Sequence, residues 1–140
     1  MHLPGRWNPK GCFRLVNTSL TPQDALDEVQ AAAKYYGTSV SSSFPSTVFE
    51  VEMQLNRFID LTERHVLRAL QVRVGDLTGC DFRAENGAGK EALTQAIGRA
   101  AWVEGYDGLL VPSSVRRGAR NLVCFPQNMR AGAHIRAKGL

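Results

Sequence analysis

Hydrophobic and polar positions alternate most strictly over 49–56. Phe49, Val51, Met53 and Leu55 take one side and Glu50, Glu52, Gln54 and Asn56 the other, the period of a half-buried strand. Phe58 and Ile59 continue it less regularly. Upstream the period is helical: Ala25, Leu26, Val29, Ala32, Ala33 and Tyr36 form one stripe. Thr21 offers a cap for that helix, Pro22 suits its first turn, Asp24 stands three residues after the cap, and Gly37 supplies a stop. A short strand is predicted over 12–16, a turn over the Gly- and Pro-rich 5–11, and a surface loop over the Ser-rich 38–46. Thr62 is predicted to cap a short helix reaching Leu70. The polar stretch 81–90 leads into a third helix over 91–103, stopped by Gly105. Apolar runs at 108–111 and 122–125, and a weaker one at 134–137, predict further strands. Strands and helices mix without regular alternation. The expected fold is therefore α+β, a single domain over 1–140 with a mixed or antiparallel sheet and flanking helices.

Composition narrows the function classes. Of the 140 residues, 44% are hydrophobic and 21% charged, the balance of a folded chain. A net charge of +4 suits an anionic ligand, although a solvated basic surface has the same charge. Basic residues are spread along the chain, with only Arg116, Arg117 and Arg120 clustered, and no nucleic-acid-binding pattern accompanies them. Cys12, Cys80 and Cys124 show no C-x-x-C spacing and read as reduced thiols. No apolar run approaches a membrane span, and the first residues lack the apolar stretch of a secretion signal. A cytoplasmic location is expected. His2, His65 and His134 are too scattered for a metal site. Gly87-Ala88-Gly89-Lys90 has Ala84 and Glu91 where a phosphate loop requires Gly and Ser or Thr, so it reads as a plain loop.

Three residues are candidates for chemistry. On a helical wheel with Ala25 at zero, Glu28 falls at about −60°, flanking the apolar stripe beside Ala32 and Tyr35. Arg6 lies in the Gly/Pro turn, where a fixed guanidinium suits a pyrophosphate. Ser113 follows Pro112 at the end of an apolar strand. Taken singly, each has an ordinary reading as a boundary glutamate, a surface arginine and a turn serine.

Their combination resembles the RES-domain family. Gly5-Arg6-Trp7-Asn8-Pro9 is similar to that family's G-R-W-N block. Thr18-Ser19-Leu20-Thr21-Pro22, leading to Ala25-Leu26-Asp27-Glu28, is similar to the block carrying its glutamate. Gln95-Ala96-Ile97-Gly98 resembles its Q-x-x-G helix. Gly105 to Ser113, followed by Asn121 to Pro126, resembles its serine motif and closing strand. The resemblance runs from Gly5 to about Ile135. It implies an ADP-ribosyltransferase-like fold and a toxin of the kind paired with Xre-type antitoxins. The implied activity is cleavage of the nicotinamide–ribose bond of NAD⁺, by hydrolysis or phosphorolysis, with NAD⁺ depletion as the outcome. ADP-ribosylation of a protein target, or a weakened module that binds NAD⁺ or a partner, are the alternatives. Arg6, Glu28 and Ser113 take the catalytic roles by that resemblance, and Arg6, Trp7, Asn17, Ser19, Ser113 and Asn121 contact the ligand. No metal is implied, nor nucleic acid or membrane; a homodimer is. Two departures stand out. Asn17 occupies the place where the family commonly has a tyrosine, eleven residues before the glutamate. RES domains also usually carry a first strand ahead of the G-R-W-N block, so a shortened or mis-started chain is expected.

Overall fold

The computed structural model describes residues 3–38 and 47–138. Its strands are β1 (Val16–Ser19), β2 (Val51–Gln54), β3 (Phe58–Asp60), β4 (Gly108–Pro112), β5 (Arg120–Cys124) and β6 (His134–Ala137). Its helices are α1 (Pro22–Tyr35), α2 (Arg64–Ala69), α3 (Val74–Thr78), α4 (Phe82–Gly87) and α5 (Leu93–Val103), with a 3₁₀ turn at Pro126–Asn128. The main sheet runs β1-β5-β4-β3; β3 and β4 are parallel, and the other two pairs antiparallel. β2 and β6 form a separate antiparallel pair. Mixed strand directions with helices against the sheet make this the expected α+β architecture.

The capping residues start α1 where the sequence places it. The Thr21 side chain accepts from the Asp24 backbone N–H at 3.1 Å, and its hydroxyl donates to Asp24 Oδ2 at 2.7 Å. At the other end Gly37, at φ +65°, lets the Thr38 N–H reach back to the Ala33 carbonyl at 2.9 Å. The expected stripe is only partly covered: Val29 is 41% and Tyr36 66% exposed, whereas Asp24 and Ala33 are buried. The helix meets the sheet at its edge strand β1, which leaves part of the apolar stripe uncovered.

Other boundaries also moved. The strand expected over 12–16 lies at Val16–Ser19, pairing with β5; Phe13 instead enters the core, stacked on Trp102 at 5.0 Å and edge-on to Phe125 at 5.4 Å. Thr62 does not cap α2. Its N–H and hydroxyl both go to Asp60 Oδ1, and the cap position is Glu63. Within the polar stretch 81–90, Asp81 caps α4 by accepting from the Ala84 N–H. Most of the Ser-rich stretch and His2 lie outside the described residues.

The core gathers Trp7, Phe13, Leu61, Leu67, Leu77, Ala101, Leu109, Val111, Val123 and Phe125 between the sheet and α2, α3 and α5. Leu109 faces Val123 across the β4–β5 ladder, and both are fully buried. Buried Asp107 ties the β2–β3 corner to β4, its Oδ2 accepting from the Asn56 and Arg57 N–H groups. Cys124 is enclosed on β5, and burial pushes its thiol up to about 11. At pH 8 it is therefore protonated as well as inaccessible. Iodoacetamide is expected to label exposed Cys12 and to spare Cys124 until denaturant is added. Equal labelling of the two in the native protein, read by mass spectrometry, would contradict this packing.

Candidate functional site

The Gly5–Asn8 turn, β1, α1, α4 and the β4–β5 hairpin enclose one cleft of about 390 Å³. Arg6, Trp7, Asn17, Glu28 and Asn121 all contribute to its lining. Ser113 stands behind Glu28 and touches the cleft through it. Ser19 pairs with Asn121 in the β1–β5 register and is not part of the lining. Trp7 is 3% exposed and belongs mainly to the core.

Glu28 is held from the sheet side. The Ser113 hydroxyl donates to its Oε1 at 3.1 Å, and the Asn121 side-chain amide donates to the same oxygen at 2.9 Å. Among the described residues Oε2 receives no hydrogen bond. A carboxylate fixed through one oxygen keeps its other oxygen available on the cleft wall. Ser113 is itself fixed, because the Val115 and Arg116 backbone N–H groups donate to its Oγ at 3.1 Å each. One helical turn before Glu28, buried Asp24 takes a second bond from the same hairpin: Arg116 Nη1 donates to its Oδ1 at 3.1 Å. Two contacts spaced by one turn thus lock α1 to the β4–β5 hairpin.

Arg6 is anchored on the opposite side. Its Nη1 donates to the Cys80 carbonyl at 2.8 Å and the Leu77 carbonyl at 3.3 Å, and its guanidinium carbon lies 5.7 Å from the Phe82 ring centre. Burial lowers its pKa, while Cys80 and Glu28 oppose that shift; a guanidinium starting so far above neutrality remains charged. The Arg6 cation and the Glu28 carboxylate therefore share the cleft.

The turn carrying Arg6 is built on α5. Fully buried Gln95 donates from Nε2 to the Gly5 carbonyl at 2.9 Å and the Asn8 carbonyl at 3.4 Å. Its Oε1 accepts from the Ala92 N–H and from Asn86. At Gly98, a Cβ would stand 1.9 Å from the Trp7 carbonyl oxygen. The Q-x-x-G spacing thus has a physical meaning: the glutamine grips the turn and the glycine lets its backbone touch the helix.

Sequence reasoning did not single out the aromatic wall. Tyr35, Tyr36, Phe82 and Arg83 line the same cleft. The sequence reading places Tyr36 on the apolar stripe of α1, and the separation of Arg83 from the tyrosines in sequence hides the cluster. Among the described residues there is no grouping of His, Cys, Asp and Glu able to hold a metal, and no helix long and apolar enough to cross a membrane.

A model of the RES domain matches residues 2–139. The NAD(+) phosphorylases MbcT of Mycobacterium bovis and Mycobacterium tuberculosis are each 26% identical to this chain over 132 residues, covering 91% of it. The chain spans 64% of the length of these curated relatives. The crystal structure of the Mycobacterium tuberculosis MbcT–MbcA toxin–antitoxin complex contains a similar fold. It superposes with a TM-score of 0.64 at 24% identity, over 95% of this chain and 70% of that one.

Proposed function

Because the chain belongs to the RES domain family, we propose that it cleaves the nicotinamide–ribose bond of NAD⁺. The observation that carries this is the Glu28 carboxylate, fixed through Oε1 by Ser113 and Asn121 in the cleft that also holds the Arg6 guanidinium. Breaking the C1′–N bond sends its electron pair to the pyridinium nitrogen, so nicotinamide leaves neutral. Positive charge then builds on the ribose. A preorganised carboxylate beside that sugar stabilises the charge without reorganising. Arg6 holds the pyrophosphate, and Ser113 and Asn121 keep Glu28 oriented. An acceptor oxygen attacks C1′ from inside the cleft. Phosphate ranks ahead of water, since the curated relatives are named phosphorylases.

The site belongs to one domain acting in the cytoplasm, where its substrate is. An Xre-type antitoxin is the expected partner, in keeping with the antitoxin named in the similar solved complex. Homodimerisation is supported by β2 and β6, which pair only with each other among the described strands. The test is to incubate the purified protein with NAD⁺, with and without inorganic phosphate, and follow products by chromatography. Nicotinamide together with ADP-ribose 1-phosphate is expected in phosphate. An intact NAD⁺ pool under both conditions overturns the proposal.

A further inference from the structure

The wall of the cleft beyond Arg6 has no role in bond cleavage, yet its composition is unusual. The Arg83 guanidinium carbon lies 4.2 Å from the Tyr35 ring centre, 4.5 Å from Phe82 and 5.4 Å from Tyr36. Tyr35 and Tyr36 meet edge to face at 5.3 Å. Arg83 makes no hydrogen bond or ion pair among the described residues, and its Nε is buried without a partner. A guanidinium normally finds an oxygen when it is removed from water. Here it lies against aromatic rings, and its Nε has no partner among the described residues. Tyr35 and Tyr36 are 54% and 66% exposed, so wide aromatic faces stand open at the mouth of a polar cleft.

We infer that this cluster is the subsite for the adenylate half of the dinucleotide, a deepening that rests on the NAD⁺ reading above. The purine lies on the exposed Tyr35 ring, with Tyr36 at its edge, and the Arg83 N–H groups take the neighbouring phosphate oxygens. Spacing along α1 supports the assignment. Glu28, Ala31, Ala32 and Tyr35 all line the cleft, so it follows the helix, and Tyr35 stands two turns from Glu28, roughly 10 Å along the axis. Arg6, Glu28 and Arg83 line the same cleft, so the pyrophosphate grip, the reacting end and the aromatic end share one continuous wall. Flat π faces backed by a cation accept a base by stacking, whichever hydrogen-bonding edge it presents.

The experiment compares wild type with Tyr35→Ala and Arg83→Gln on NAD⁺ and on nicotinamide mononucleotide, which lacks the adenylate half. Binding of ADP is measured alongside by calorimetry, and folding by circular dichroism. Each variant is expected to lower the ratio of kcat/KM for NAD⁺ over nicotinamide mononucleotide about ten-fold, and to weaken ADP binding in parallel. Folded variants that keep both the wild-type ratio and the wild-type ADP affinity overturn the subsite. Should the wild type release nicotinamide from neither substrate, the ADP data decide alone. Weaker ADP binding in the variants then supports the subsite while the proposed reaction falls, and absent or unchanged ADP binding removes the subsite.

Discussion

Glu28→Gln is expected to slow nicotinamide release about 10²–10³-fold, the usual cost of losing one preorganised electrostatic group. The substitution keeps the shape of the side chain and removes its charge. The carbonyl oxygen of the new amide still accepts from Ser113 and Asn121, so the hairpin stays docked on α1. What disappears is the negative charge beside the sugar, which matters only once the C1′–N bond stretches. The loss should therefore fall on kcat, with KM for NAD⁺ little changed. Glu28→Ala is harsher. It strands the Asn121 amide, whose Oδ1 is already buried without a partner, and so adds a stability cost of about 1–3 kcal/mol. Steady-state kinetics on the purified glutamine variant check the assignment, and wild-type kcat in a folded protein would sink it.

Gly98→Ala is expected to lower Tm by roughly 10 °C, from an overpacking cost near the upper end of about 1–3 kcal/mol. The new methyl would overlap the Trp7 carbonyl oxygen at 1.9 Å, and that oxygen belongs to backbone, which has no rotamer to change. Either α5 or the Gly5–Asn8 turn must move. The turn is the weaker of the two, held by Gln95 through the Gly5 and Asn8 carbonyls. Its displacement carries Arg6 away from the Cys80 and Leu77 carbonyls that aim it. KM for NAD⁺ should therefore rise in the variant even well below its melting point. A thermal melt and a KM both equal to wild type would show that the turn is not seated on α5 as described.

What the sequence made legible depended on how local each cause was. α1 could be placed because Thr21, Pro22, Asp24 and Gly37 act within a turn of their own backbone. β4 and β5 could be placed because short apolar runs such as Leu109 to Val111 have few uses other than a buried strand. α3 and α4, of five and six residues, are too short to show a period, and the Asp81 cap alone did not reveal the second of them. The exposure of Val29 is not legible, because helical spacing says which residues align, not how wide a face the neighbouring sheet covers. For the site, Arg6, Glu28 and Ser113 were named from a resemblance. That Asn121 donates to the carboxylate, and that Arg83 meets Tyr35 in the cleft, are tertiary facts that no local pattern encodes.

The hydroxyl of Ser113 has a full dance card. A serine oxygen has two lone pairs and one proton. Here the Val115 and Arg116 amides occupy the lone pairs, and the proton points at Glu28. Nothing is left over to attack a substrate or to accept a proton from one. This side chain is a spent relay between the hairpin backbone and a carboxylate, passing two peptide dipoles on to the acid that meets the sugar.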